Sequence, residues 1–260
     1  MAIKIPPHYS SLVLARSWFA TGLPMLMYHK LGPKPRGVRI QGLYVSTSAF
    51  RRQLTELRRG GYCSGSLDRL ADGCTAPDRK IVISFDDGFA NTLRYGLETL
   101  QATGFVAIQY IVAGAIGGQN DWDMRNGEAP ERLMDKAQIR EWLAGGQTIG
   151  SHNLSHVRLT DIPLAQAREE ITASKKQLED SFGVPIRHFC YPYGAWNPAV
   201  RDLVMEAGYA TACTVDKGVN TSATHPHELQ RVMARTPSFQ DVFTGVSARV
   251  QQAVTGALSA

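Results

Sequence analysis

The stretch Lys80–Gly88, which reads Lys-Ile-Val-Ile-Ser-Phe-Asp-Asp-Gly, decides how the rest of the chain is interpreted. Ile81–Ile83 is a short, β-branched apolar run, which predicts a buried strand. Asp86 and Asp87 end this run, and the glycine turn after them lets both carboxylates reach one site. Like charges this close need a cation or a shared proton between them. The alternative is a solvent-exposed Asp-Asp-Gly turn, so the choice depends on whether the chain supplies a cation site.

The composition is that of an ordinary globular protein. The 260 residues are 43% hydrophobic and 20% charged, with a net charge of +5, which fits one large α/β domain or two small ones. The four cysteines show no Cys-x-x-Cys spacing, so neither a thiolate zinc site nor a disulfide framework is expected. Basic residues form no long run, which leaves nucleic-acid binding as a weak alternative.

The N-terminus and the longest apolar runs indicate whether the chain enters or crosses a membrane. The chain lacks a basic start followed by a long apolar stretch, and it contains no run of 18 apolar residues. We therefore expect no transmembrane segment and a cytoplasmic location, unless a signal peptide has been removed. The sequence does not indicate an oligomeric state.

Strand-like and helix-like segments alternate along most of the chain, with glycines where helices stop. Such alternation is typical of parallel β–α–β units and predicts either a barrel or a doubly wound sheet. Phosphate-binding glycine motifs are absent from the sequence, which disfavours nucleotide-binding folds. We predict one catalytic domain over residues 1–260, with an N-terminal arm at 1–20, the strand–helix body at 24–235 and a C-terminal helix at 240–260.

Polar residues directly follow several predicted strands. His29, the pair Asp86 and Asp87, His152 and Tyr193 each stand at the carboxyl end of one. On a barrel those ends converge on one face, where barrel enzymes build their sites. We therefore expect these residues to share a site.

The stretch Ser151–His156 supplies the cation site. It reads Ser-His-Asn-Leu-Ser-His, and histidines four residues apart converge when they share one face of a helical turn. A His-x3-His pair alone is common, but two imidazoles with one carboxylate form a zinc set of the catalytic type, with a position left for water. One carboxylate suffices for the metal, which leaves the second for proton transfer.

Three motifs together resemble those of one enzyme family. Ser84–Gly88 resembles the Thr-Phe-Asp-Asp-Gly motif of the NodB-type polysaccharide deacetylases, carbohydrate esterase family four. Ser151–His156 is similar to their Ser-His-Thr-x-x-His motif, and Tyr191–Gly194 is similar to their third motif. Order and spacing agree, and the resemblance covers residues 24–235. It implies a distorted (β/α)7 barrel, the NodB homology domain, with deacetylase activity.

The resemblance also implies roles for single residues. Asp87, His152 and His156 would hold a divalent metal, most often zinc in this family, and Asp86 would be the general base. The backbone N–H of Tyr193 would help to stabilise the oxyanion. Histidine and carboxylate ligands also suit cobalt, nickel, iron and manganese.

Two features depart from the family pattern. Cys190 stands where the third motif usually has the arginine that orients the base, and the late Leu-x-His motif with the general acid has no good match. Leu26–His29 resembles the Tyr-His opening of the poly-N-acetylglucosamine deacetylase branch, so His29 is the candidate acid, with packing as its alternative role. Arg231 lies in a segment similar to the Leu-Pro-Arg-Ile of that branch and is the candidate replacement arginine.

The implied substrate is an N-acetylated amino sugar in a polysaccharide, oligosaccharide or glycoconjugate, from which acetate would be released. Tyr191, Tyr193 and Trp122 are candidate substrate-binding residues, and packing is the alternative for Trp122. Two other functions stay open: the same metal site acting on another amide or an O-acetyl ester, and a non-catalytic glycan-binding protein on this scaffold. Asp86 argues against the second, because a binding protein has no use for a base.

Overall fold

A closed barrel of seven parallel strands forms the centre of the computed structural model, which describes residues 8–71, 79–238 and 241. In chain order the strands are β1 (Leu23–Tyr28), β2 (Lys30–Leu31), β3 (Tyr44–Val45), β4 (Cys63–Ser64), β5 (Lys80–Phe85), β6 (Ala107–Ile111), β7 (Thr148–Ser151), β8 (His188–Cys190), β9 (Thr211–Lys217), β10 (Val219–Asn220) and β11 (Leu229–Met233). Around the barrel the order is β1, β5, β6, β7, β8, β9 and β11, and β1 closes it by pairing with both β5 and β11. The predicted (β/α)7 barrel is thereby confirmed.

Helices surround this barrel. In chain order they are α1 (Leu12–Phe19), α2 (Thr47–Arg59), α3 (Leu67–Ala71), α4 (Ala90–Thr103), α5 (Asp121–Met124), α6 (Lys136–Ala144), α7 (Leu164–Phe182) and α8 (Pro198–Glu206). Their ends follow sequence signals: the Ser46 hydroxyl accepts from the N–H of Ala49 at the start of α2, and Gly183 ends α7 at a φ of 66°. None of the helices in the described residues is both long and apolar enough to cross a membrane.

The apolar side chains of the strands divide into two layers. Alternate residues of the barrel, among them Met25, Val82 and Tyr110, pack together as one cluster, whereas their neighbours pack in a second cluster with residues of the helices. Both faces of each parallel strand are therefore covered, which is why the strands read as continuous apolar runs in the sequence.

Most predicted elements occur where the sequence places them, and the differences lie at the edges. The predicted N-terminal arm includes α1. The predicted C-terminal helix at 240–260 lies outside the described residues, apart from Asp241.

Candidate active site

The carboxyl ends of the barrel strands bring the predicted site residues together. Asp86 and Asp87 directly follow β5, His152 follows β7, and His29 follows β1. Arg231 comes from β11 itself. With the exception of His29, which is half-buried, these side chains are buried, so the site is a polar cluster at the top of an apolar barrel.

One half of the site is built on Asp87. Its Oδ1 lies 3.3 Å from Nε2 of His152 and 3.2 Å from Nε2 of His156. One donor atom from each of these three buried residues lies within 4.8 Å of the other two. Asp87 reaches this position with a φ of 71° and is followed by Gly88 at 82°, so the turn that the glycine permits is what aims the carboxylate.

These three residues fit a single metal ion. Nδ1 of His152 donates to the carbonyl of Cys190 at 2.8 Å, which leaves the lone pair of Nε2 directed at the site, as is usual for a metal-ligating histidine. Donor atoms that share a tetrahedral ion at about 2 Å lie roughly 3.3 Å apart, and both nitrogen–oxygen distances match that spacing. The donor set therefore suits zinc and related divalent ions.

The two histidines do not share a helical turn, and this part of the prediction is wrong. Asn153 and His156 have φ angles of 54° and 60°, and the segment is a loop in which Asn153 Oδ1 accepts from the N–H of His156 at 2.6 Å. The Glu170 carboxylate of α7 accepts from the backbone N–H groups of Leu154 and Ser155 at 3.1 and 2.9 Å. Contacts to a distant helix, rather than helical periodicity, bring the imidazoles together.

The other half of the site is built on Asp86. Arg231 donates two hydrogen bonds to its carboxylate, from Nη1 to Oδ1 at 2.7 Å and from Nη2 to Oδ2 at 2.8 Å. The guanidinium is itself fixed, because Nε donates to the carbonyl of Thr214 at 2.7 Å and Nη2 donates to Sγ of Cys190 at 3.2 Å. A planar guanidinium suits this paired geometry. Arg231 therefore lies beside Asp86, where the sequence analysis expects the replacement arginine.

The charges of the site keep both aspartates ionised. Burial alone raises the pKa of Asp86, but the charges of Arg231 and His29 and the Arg231 hydrogen bonds outweigh it and hold that pKa below its ordinary value. Burial likewise raises the pKa of Asp87, and in the absence of a metal the hydrogen bonds that a protonated Nε2 of His152 and of His156 donates bring it well below the ordinary value. The two carboxylates are adjacent, yet each has its own partners.

His29 lies beside Asp86. Its Nε2 is 3.7 Å from Oδ2 of Asp86, and 16% of its side chain is exposed. The imidazole is therefore both near the carboxylate and partly exposed to solvent. That placement suits a group that exchanges a proton with a bound molecule.

The candidate substrate-binding residues divide into two groups. The Trp122 ring stacks on His156 with centroids 4.2 Å apart, and the Tyr193 ring meets His156 edge-on at 4.7 Å and is 43% exposed. Tyr191 is fully buried instead, and its hydroxyl donates to the carbonyl of His227 at 3.0 Å. The structure therefore does not bring the Tyr191 side chain to the site.

Sequence reasoning missed several residues that support the site. Gln109 on β6 donates from Nε2 to the carbonyl of Asp86 at 3.1 Å, and Lys30 is buried beside Asp123 in the loop that carries Trp122. Gln109 is a buried polar residue in an otherwise apolar strand, and this interruption was the signal available. Lys30 directly follows His29, but nothing local links it to Asp123.

Two known proteins with similar sequences carry the names of deacetylases. A protein of Bacillus subtilis (strain 168) named YxkH, provisionally described as a polysaccharide deacetylase, is 23% identical over 81% of this chain and 70% of its own length. The poly-beta-1,6-N-acetyl-D-glucosamine N-deacetylase of Escherichia coli (strain K12) is 22% identical over 91% of this chain. The match spans 40% of that relative's length, so this chain corresponds to less than half of it.

A solved structure shows the same fold. The deacetylase PplD of Streptococcus pyogenes, in complex with acetate, superimposes with a TM-score of 0.73 at 20% identity and covers 86% of this chain and 97% of the other. The sequence also matches the family model named polysaccharide deacetylase over residues 73–212, which include both aspartates and both loop histidines. Because that match spans more than half of the chain, the protein belongs to the polysaccharide deacetylase family.

Proposed function

We propose that this protein is a metal-dependent hydrolase that removes N-acetyl groups from an amino sugar in a polysaccharide, oligosaccharide or glycoconjugate and releases acetate. The observation that carries the proposal is that two adjacent carboxylates are held in different ways. Asp87 faces two histidine nitrogens, whereas Asp86 is held by a guanidinium. A purely structural metal site has no need of the second, oriented carboxylate.

Asp87, His152 and His156 are the proposed ligands, and zinc is the proposed metal. Bound there, the ion would polarise the acetamide carbonyl and lower the pKa of the attacking water. The donor set leaves the exact metal to be determined, since nitrogen and oxygen ligands also suit cobalt, nickel, iron and manganese.

The remaining residues of the site supply the proton transfers. Asp86, kept ionised by Arg231, takes the proton of the attacking water as general base. The backbone N–H of Tyr193 is the proposed donor to the oxyanion of the tetrahedral intermediate. His29 then gives a proton to the leaving amine nitrogen as the C–N bond breaks, so that a neutral amino group departs and acetate remains.

The relatives support a sugar substrate of one kind. The name of the Escherichia coli protein gives poly-β-1,6-N-acetylglucosamine as its substrate, which makes N-acetylglucosamine oligomers the first compounds to test. The rings of Trp122 and Tyr193 flank His156, and aromatic faces suit the apolar face of a sugar ring.

The test measures acetate release from a panel of substrates, with and without a chelator. We expect the zinc-loaded protein to release acetate from N-acetylglucosamine oligomers, to stop after chelation and to recover when zinc is added back. Release from acetylated xylan alone would indicate an O-acetyl esterase. Glycan binding without acetate release by the metal-loaded protein would indicate a binding protein and would contradict the proposal.

A further inference from the structure

Lys30 is the most unusual charged residue near the site. Its side chain is fully buried, and its Nζ has no hydrogen-bond partner among the described residues. The ammonium lies over two aromatic rings, 4.6 Å from the centroid of Phe89 and 5.2 Å from that of Tyr44. A buried ammonium is unfavourable unless an anion compensates it, so a carboxylate close to it is expected.

That carboxylate belongs to Asp123, whose Oδ2 lies 3.9 Å from Nζ of Lys30. Asp123 is on α5, and Nδ2 of Asn120 donates to the same oxygen at 3.3 Å. Burial and the negative charge of Asp87 raise the pKa of Asp123, which means that the site itself opposes an ionised carboxylate in this position. The cation of Lys30 offsets that repulsion.

The residue before Asp123 is the one that contacts the metal site. Trp122 lies almost parallel to the His156 ring, with centroids 4.2 Å apart and an angle of 23° between the planes. Trp122 and Asp123 belong to the same turn of α5, so a displacement of Asp123 moves the indole. The position of the indole on the ligand His156 therefore depends on what holds Asp123.

Lys30 directly follows His29 in the chain. Their side chains reach different partners, Asp86 and Asp123. Lys30 also begins β2, which pairs with β3 at Tyr44. A direct role of Lys30 on the substrate does not fit, because the side chain is 0% exposed.

We propose that Lys30 is a positioning residue whose ammonium, through Asp123, holds Trp122 against the metal ligand His156. The proposal rests on the metal site of the proposed function. Outer partners of ligating histidines restrict their orientation, and removal of such partners typically lowers metal affinity about 10–100-fold. An ion pair that served folding alone would not affect metal affinity in this way.

The first test measures Zn²⁺ affinity by competition with a chromophoric chelator for Lys30→Met, Asp123→Asn and the double variant. Lys30→Met removes the cation that holds Asp123, so the contact of Trp122 with His156 is lost and the affinity should fall about 10-fold. Asp123→Asn removes the other partner of the same contact and should also lower the affinity. In the double variant the same contact is broken only once, so its affinity should match that of the single variants rather than fall by the sum of their losses.

The second test measures the ring contact directly in metal-free protein. The emission of Trp122 is obtained as the difference between each variant and the same variant carrying Trp122→Phe. Contact with the His156 ring should quench this emission in the wild type. The emission should rise in Lys30→Met and should rise no further in the double variant.

A matched control is Lys176→Met, which breaks an exposed pair with Asp180 and should change neither readout. Unchanged affinity and emission in folded Lys30→Met would overturn the proposal, and so would losses of affinity that add up in the double variant. If Lys30→Met does not fold, unchanged readouts in Asp123→Asn overturn it. If no variant binds Zn²⁺, the proposed function fails, while the emission comparison still tests Lys30.

Discussion

The two halves of the site hold their carboxylates by different means. Asp86 receives its counter-charge from the chain itself, through two hydrogen bonds from a buried guanidinium. Asp87 instead faces two imidazole nitrogens at 3.2 and 3.3 Å, an arrangement that suits a shared cation. Strands supply the partners of Asp86, whereas a loop after β7 supplies those of Asp87. The difference indicates that metal binding and proton transfer can be separated by mutation.

The largest effect should come from breaking the Asp87 half. His152→Ala removes one of the three proposed metal ligands. Loss of a residue that only hydrogen-bonds to a ligand typically lowers metal affinity about 10–100-fold, so loss of a ligand should lower it further. Acetate release should fall to background. Metal content after dialysis and acetate release measure the two effects. As a control, His225→Ala, which lies outside the site, should keep its metal and its acetate release. A His152→Ala variant that is metal-loaded and active would refute the ligand assignment.

Breaking the Asp86 half should leave the metal in place. Asp86→Asn removes the proposed general base, so turnover should fall about 10²–10⁴-fold, while Asp87 and both histidines remain. Metal content and turnover of the same preparation provide the comparison with His152→Ala. A fully active Asp86→Asn variant would show that another group takes the proton.

Removing the guanidinium should affect folding as well as catalysis. Arg231→Met leaves the Asp86 carboxylate buried without its partner, which typically lowers the free energy of unfolding by about 3–5 kcal/mol. Chemical denaturation of the metal-free protein measures this, with Arg201→Met, at a half-buried ion-paired residue, as a control that should change stability far less. Addition of Asp86→Asn to Arg231→Met should recover much of the loss, and no recovery would contradict the pairing.

The smallest expected effect is a change in pH dependence that follows from the same pair. The pKa of Asp86 is lower in the folded state than its ordinary value of 3.8, so its contribution to stability is complete above that value. The contribution disappears as the pH falls through the folded pKa. The stability difference between wild type and Arg231→Met should therefore shrink as the pH falls below 3.8, and a constant difference there would contradict this assignment.

Sequence patterns anticipated the barrel and most of the site for a physical reason. Buried parallel strands need continuous apolar runs, and the carboxyl ends of such strands meet, so Asp86, Asp87, His152 and His29 could be grouped from the sequence alone. Arg231 also lies beside Asp86, as its motif suggests. The roles of these residues remain proposals that the mutations above test.

What the sequence did not reveal depends on contacts between distant segments. The loop of His156 takes its shape from Glu170 on α7, so spacing alone wrongly indicated a helical turn. Lys30 and Asp123 meet only after β2 and the loop around α5 have packed, and no local pattern pairs them. Tyr191 reads as a site residue by motif, but its side chain points into the packed interior.

The pairing of β1 with both β5 and β11 has a consequence for the order in which the site can form during synthesis. Asp87, His152 and His156, the proposed metal ligands, lie within a stretch of 70 of the 260 residues, so a nascent polypeptide contains all three before β11 is synthesised. Asp86, by contrast, is contacted by His29, which directly follows β1, and by Arg231 of β11, and these two strands meet at the closure. The proposed base is therefore completed only when β11 docks, and a chain truncated before β11 should lack an oriented base.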